Sequence, residues 1–337
     1  MKHLHINNLW INGLLQTFEQ LGLDAAELSR GMEAITAGQL APGCQLDLVD
    51  ARTLWHRAVK LAADPLLGVK VGFQQNPRSS GVIFPLALHS PSVRAALQHI
   101  VNFQTLISES GCYRIHVLDV EGRDCIECEY VPVPSSVSIS PQQVMSVVAS
   151  TLNLIKLISS DDICAQRVYV PAEMDTVLIA QELDCVVESR AGNLSMIFAT
   201  DKLDDPIFGR DEHLYQLSLS YAEGLLRAKR VGQHFLDSIK GYIDVASPAQ
   251  VGVDEVAAKL GLHRRALQRN LAEQGTSFRQ LKESLLKERS LALLISLRLN
   301  VDTIAETLGY SDASTFHRAF KAWFHVTPKQ FRDQIGS

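Results

Sequence analysis

Six polar side chains, in two sets of three, have the types and spacing to do one kind of chemistry. They are Arg265, Gln268 and Arg269 in one stretch, and Ser314, Thr315 and Arg318 in another. Members of each set lie one or three residues apart, so on a helix each set shares one face. The chemistry is hydrogen bonding to base edges in duplex DNA. Arg grips guanine with two parallel N–H bonds, Gln pairs bidentately with adenine, and Thr hydrogen-bonds or touches the thymine methyl group. Leu267 and Leu271 in the first stretch, and Phe316 and Phe320 in the second, are four apart and turn the opposite way, inward. A solvated polar face explains one such set equally well. Two sets, each behind the same preceding cassette, favour the reading of bases.

That cassette is a repeat. Val253-Asp254-Glu255-Val256-Ala257-Ala258-Lys259-Leu260-Gly261 returns 48 residues later as Val301-Asp302-Thr303-Ile304-Ala305-Glu306-Thr307-Leu308-Gly309. The apolar positions fall at i, i+1 and i+4, on one helical face. Each Gly ends its helix, because glycine takes the left-handed conformation past a helix end without steric cost. A second helix follows, over 264–273 and over 312–324. The pattern is that of two helix-turn-helix motifs, 253–273 and 301–324, whose second helices suit a DNA major groove.

Between the motifs, 277–297 reads as one uninterrupted helix with Leu281, Leu285, Leu286, Leu293, Leu294 and Leu297 as its apolar stripe. About twenty residues at about 1.5 Å each span about 30 Å. One DNA turn is about 34 Å, so a single chain can set both second helices into successive major-groove segments on one DNA face.

The residues over about 253–332 resemble the AraC/XylS transcription regulators. The resemblance rests on Leu267-Gln268-Arg269, Gly275-Thr276-Ser277-Phe278, Leu308-Gly309-Tyr310-Ser311-Asp312, Phe316, Arg318-Ala319-Phe320, Trp323-Phe324 and Thr327-Pro328. It implies that Arg265, Gln268, Arg269, Ser314, Thr315 and Arg318 face the bases, that the protein is more an activator than a repressor, and that RNA polymerase is a partner. Three positions depart from the family pattern. His263 stands where Ser commonly caps the first recognition helix, Asn270 where Arg is frequent, and His325 where Gly usually follows the aromatic pair. The first weakens a cap by about 1 kcal/mol, and the third forces a side chain to positive φ at about 1–2 kcal/mol.

The net charge of −5 over 337 residues hides an asymmetry. From Arg230 onward there are 15 Lys+Arg against 11 Asp+Glu, a net of +4, and the preceding part carries 17 against 26, a net of −9. This suits a basic DNA module joined to an acidic domain with another task. The expected division is 1–229, an α+β amino-terminal domain for effector binding and oligomerisation, and 230–337, an all-α DNA-binding domain with two helix-turn-helix motifs joined by a long helix. The amino-terminal residues lack the apolar core of a secretory signal, and no apolar run approaches membrane length. A cytoplasmic protein with no membrane partner is expected, and a reducing compartment favours free thiols for its six cysteines. Cys125 and Cys128 form a CxxC, but the stretch alternates like a strand. A spacing of three then points the sulfurs to opposite faces, which favours buried structural cysteines over a metal or redox pair.

Along the acidic part, helices are expected over 9–22, 50–62, 92–108, 141–159 and 176–183, and a loop over 38–47. A hairpin over 113–130 turns near Glu121-Gly122, a strand is expected over 167–170, and a second hairpin over 185–200 turns at Ala191-Gly192-Asn193. The part resembles the amino-terminal domain of one large branch of the AraC/XylS family through Asp64-Pro65-Leu66-Leu67-Gly68, Ser90-Pro91-Ser92-Val93-Arg94-Ala95-Ala96-Leu97 and Leu203-Asp204-Asp205-Pro206. The resemblance implies a small-molecule effector without naming it. A regulator whose amino-terminal domain only dimerises or binds a protein partner, with no ligand, is the alternative.

A helix over 213–229 carries Leu214, Leu217, Tyr221 and Leu225 near a seven-residue repeat. That stripe fits a homodimer seam or packing onto its own domain. No GxGxxG, P-loop, GxSxG or HExxH is present, and the carboxylate pairs Asp161-Asp162 and Asp204-Asp205 fall in expected loops. The chain therefore reads as no enzyme, with no cofactor and no metal site.

Overall fold

A computed structural model describes residues 4–159, 163–245, 248–295 and 299–335. Leu297 and the Asp161-Asp162 pair lie outside the described residues. Two compact units result, Lys2–Leu226 and Arg227–Ser337. Among the described residues, no helix is long and apolar enough to cross a membrane.

The first unit is α+β. Its elements are β1 His5–Asn7, α1 Asn8–Gln20, α2 Ala25–Leu28, β2 Ile35–Thr36, β3 Gln39–Leu40, β4 Gln45–Asp47, α3 Leu48–Ala62, α4 Leu67–Gln74, α5 Ile83–Leu88, α6 Val93–Phe103, β5 Gly111–Val120, β6 Arg123–Pro132, α7 Pro141–Ser159, β7 Arg167–Val170, α8 Thr176–Leu183, β8 Val186–Ser189 and β9 Ser195–Ala199. The five-stranded sheet runs β5-β6-β9-β7-β8. The β5–β6 hairpin turns at Glu121 and Gly122, both at positive φ, +55° and +81°, the combination that matches a two-residue turn to strand twist. On β6, Ile126, Cys128 and Tyr130 join the main core, and Cys125 is buried on the other face. The strand period thus separates the two sulfurs, and both thiols are free. Burial pushes the Cys128 thiol up to about 12.

Two expectations need correction. Residues 185–200 do not form a hairpin: β8 pairs in parallel with β7 across the α8 crossover, and β9 lies between β6 and β7, antiparallel to both. The strands on either side of the Ala191-Gly192-Asn193 turn are therefore not hydrogen-bonded to each other. Residues 38–47 are not all loop, because β4 pairs with β1 and β3 with β2. One close helix contact was also unsignalled. Gly68 and Gly72 sit one turn apart on α4 against α7, where an added Cβ would lie 2.3 Å from the Gln142 carbonyl oxygen and 2.4 Å from the Ala149 Cβ.

One uninterrupted helix, α9 Glu212–Val245, carries the chain from the first unit into the second. Over its first half, Tyr215, Leu219, Ala222 and Leu226 pack on the core of the first unit. Leu214, Leu217, Tyr221 and Leu225 are on the other side, with Leu217 54% and Tyr221 62% exposed. The stripe does not pack onto its own unit. Over the second half, Phe235, Ile239 and Ile243 join the core of the second unit.

The second unit continues with α10 Val253–Lys259, α11 Arg264–Glu273, α12 Phe278–Ile295, α13 Val301–Thr307, α14 Ala313–Phe324 and α15 Pro328–Ile335. It has two cores. Val256, Ala257, Leu267 and Leu271 fill the first with Leu281 of α12. Ile304, Ala305, Leu308, Phe316 and Phe320 fill the second with Leu286 and Leu294 of the same helix. The linker helix is thus shared: one half of its leucine stripe closes each motif.

Candidate nucleic-acid interface

The two motifs repeat in their hydrogen bonds as well as their residues. After α10, Gly261 N–H donates to the Ala258 carbonyl (3.1 Å) and Leu262 N–H to the Ala257 carbonyl (2.9 Å). After α13, 48 residues on, Gly309 N–H donates to Glu306 (2.9 Å) and Tyr310 N–H to Ala305 (2.9 Å). Both glycines are left-handed, at φ +66° and +83°, so each turn satisfies the orphan carbonyls of its first helix in the same way. The second turn is one residue longer before its recognition helix begins.

Behind these turns, Leu267 and Leu271 anchor α11, and Phe316 and Phe320 anchor α14, all fully buried. The opposite faces carry the expected residues. Arg265, Gln268 and Arg269 are exposed on α11; Ser314 and Arg318 are exposed and Thr315 is half-buried on α14. Each set of three is together on its own helix. Neighbouring contacts distinguish their roles. Arg264 is turned back to Asp254 of α10 (3.0 Å), an exposed pair worth about 0–1 kcal/mol. Arg269 lies 3.8 Å from Glu273 one turn on, a weak exposed contact.

On α14 the polar groups form a chain. Asp312 caps the helix by accepting the Thr315 N–H (2.7 Å), and also accepts the Thr315 and Ser311 hydroxyls (2.9 Å each). Thr315 Oγ1 in turn accepts a hydrogen bond from the Arg318 guanidinium at 3.2 Å. The Thr315 hydroxyl therefore orients Arg318. Its own proton is engaged by Asp312. The Thr315 N–H, followed by the Thr315 and Ser311 hydroxyls, holds the Asp312 carboxyl below its ordinary range. A lowered carboxylate stabilises the folded state above its ordinary value and loses that contribution as pH falls through the lowered one. An Asp three residues ahead of a Thr was a readable cap signal.

The three departures resolve separately. His263 has the extended backbone of a cap, φ −78° and ψ 148°, but its side chain accepts no backbone N–H. His263→Ser is therefore expected to stabilise the protein by about 1 kcal/mol, read as a rise of about 4 °C in the unfolding midpoint of this unit; an unchanged or lower midpoint would contradict the uncapped reading. His325 sits at φ +61°, the strained conformation expected there. Asn270 is half-buried on α11.

The ties between the two motifs join residues distant in the chain. Lys282 of α12 donates to the carbonyls of Ala249 (2.9 Å) and Val251 (2.7 Å), and Ala249 N–H donates to the Leu308 carbonyl at the end of α13 (2.8 Å). The loop before the first motif is thereby bonded to the linker helix and to the second motif. Burial lowers the Lys282 ammonium, and the two carbonyls compensate its lost hydration. Arg289 of α12 also pairs with Asp244 of α9. At about 1.5 Å per residue, the helical span of α12 is about 27 Å.

A family model described as the arabinose-binding domain of AraC transcription regulator, N-terminal, matches residues 22–207. The chain belongs to the AraC family of transcription regulators. A second family model, described as a helix-turn-helix domain, matches 256–334 and spans both second helices. Among curated relatives of this AraC-family chain, the ornithine utilization regulator of Pseudomonas aeruginosa is 22% identical over 295 residues, which cover 87% of this chain and 86% of that protein. An HTH-type transcriptional regulator of Mycobacterium tuberculosis is 22% identical over 330 residues, covering 94% and 93%. Among solved structures, the transcriptional regulator CdpR from Pseudomonas aeruginosa is similar at 20% identity, covering 94% of this chain and 98% of that one, with a TM-score of 0.45. As an AraC-family member the chain is a DNA-binding transcription regulator, and the matching families are of regulators rather than enzymes.

Proposed function

We propose that the protein is a sequence-specific regulator in which one chain reads two successive major-groove segments, and in which the first unit supplies effector control and dimerisation. The observation that carries the reading is the paired construction. Two motifs with the same turn hydrogen bonds present Arg265, Gln268 and Arg269 on one helix and Ser314, Thr315 and Arg318 on another, braced by one linker helix. The match to an arabinose-binding domain supports effector control. An effector acts only if it binds two arrangements of the protein with different affinity. Activation through RNA polymerase, and action in the cytoplasm where the chromosome lies, rest on family membership. The exposed Leu214, Leu217, Tyr221 and Leu225 stripe supports a homodimer.

Selection from randomised duplexes tests both halves. The full-length protein is expected to enrich two copies of a two-block site, the blocks centred about 10 bp apart. The Leu217→Glu, Tyr221→Glu double variant is expected to enrich one copy. An unpatterned pool would overturn specific reading, and paired sites with the variant would remove the seam.

A further inference from the structure

The first unit holds a partly open cavity of about 100 Å³ between α1, α3, the end of α4, the β5–β6 hairpin and α7. Its walls are aromatic and aliphatic where Trp10, Trp55, Tyr113 and Tyr130 line it, and amide where Gln75 and Gln143 do. Both glutamines are only 4% exposed. The Gln75 side-chain N–H group donates to the Trp10 carbonyl (3.3 Å) and to Ser79 Oγ (3.0 Å). A carbonyl only accepts, so the amide orientation is set. Gln75 Oε1, Gln143 Oε1 and Ser150 Oγ are buried and have no hydrogen-bond partner in the protein. All three belong to residues lining this one cavity. A buried acceptor left unpaired costs free energy that an arriving donor recovers.

The lining is also uncharged. It contains no Asp, Glu, Lys, Arg or His, and burial holds both phenols neutral, with Tyr130 pushed up to about 12 and Tyr113 raised further. An ionised guest would lose its hydration and meet no charged lining residue; the Arg52 guanidinium, which acts on Tyr130, is engaged by the Val133 and Val137 carbonyls. A purely apolar guest would leave the glutamine oxygens as they are. The volume is of the order of a single ring, since a cavity of about 150 Å³ accommodates benzene.

We propose that this cavity is the effector site and that it takes a small uncharged ring compound whose two N–H or O–H donors reach Gln75 Oε1 and Gln143 Oε1. The assignment as effector site rests on the reading of the first unit as the controlling one. Binding at the cavity is independent of that reading.

Trp10 and Trp55 are two of the chain's three tryptophans, so intrinsic fluorescence of the full-length protein reports occupancy. Four probes separate the chemistry: resorcinol and 2-imidazolidinone, each an uncharged ring with two donors, toluene with none, and benzoate with a charge. Saturable binding of at least one two-donor ring is expected, with toluene and benzoate at least tenfold weaker. Gln143→Leu removes an acceptor that bonds nothing in the protein. It is expected to weaken the two-donor ring about tenfold without lowering the unfolding midpoint of the free protein. If the variant fails to fold, Gln143→Met, close in shape to glutamine and likewise without the amide oxygen, supplies the second arm, and the same loss is expected. Failure of both two-donor rings to bind, equal binding of all four probes, or indifference to the Gln143 substitutions would overturn the site. Affinity for the selected duplex, measured with and without the bound ring, is expected to change at least threefold. Occupancy with unchanged DNA affinity would overturn the effector role, and specific DNA binding that persists with an empty cavity would leave the DNA-reading proposal standing alone.

Discussion

Phe320→Ala is expected to cost about 3–5 kcal/mol, a large share of the roughly 5–15 kcal/mol by which a domain is stable. Phe320 is fully buried, and its ring lies 5.8 Å from Phe316, 4.6 Å from Phe324 and 5.8 Å from Phe331. It therefore joins α14 to α15 as well as filling the second core. The first core is built from different residues, Ile239, Leu267 and Leu271 among them. The loss should fall on α14, with amide protection dropping across 313–324 before it drops across 264–273. Urea unfolding combined with hydrogen exchange checks this. A cost under about 1 kcal/mol, or equal loss of protection in α11 and α14, would contradict the separation of the two cores.

Arg318→Ala has the second large expected effect, on recognition rather than stability. Phe316 and Phe320 anchor the helix on either side of it, which leaves the guanidinium exposed and held by the Thr315 hydroxyl. If it grips a guanine, its removal costs about 1–3 kcal/mol on the preferred site and relaxes the preference at one base position. A phosphate contact would instead weaken all sequences about equally and lower the salt slope by about one unit. Wild type and variant compared on a randomised operator at two salt concentrations decide between them. Uniformly weaker binding with an unchanged base preference would remove Arg318 from the reading set and shift specificity to Arg265, Gln268 and Arg269.

Much of the second unit was legible because it is local. Helix, glycine turn and recognition helix each follow from residues within about a dozen positions, and duplication lets one copy check the other. Arg264–Glu273 has the expected bounds, and Asp312 proves to be the cap of α14 rather than its first turn. What escaped depends on contacts distant in sequence. The Lys282 clamp and the Ala249–Leu308 bond join residues whose types carry no signal of one another. In the first unit, the β5–β6 hairpin was readable from its turn, while the order β6-β9-β7-β8 was not, because pairing between strands separated by a helix leaves no local pattern. The helix expected over 213–229 also stops short of α9, which runs on through Gly232 and Gly241 to Val245 without a break. Its outward stripe, by contrast, was marked by the heptad spacing itself.

Footprinting of the 230–337 fragment on a selected duplex tests most directly whether one chain reads two segments. With α11 and α14 braced on α12, the account predicts protection of two major-groove segments on one face of the DNA, centred about 10 bp apart, by a fragment that remains monomeric. Protection of a single segment, or of two segments only when two fragments bind, would contradict it.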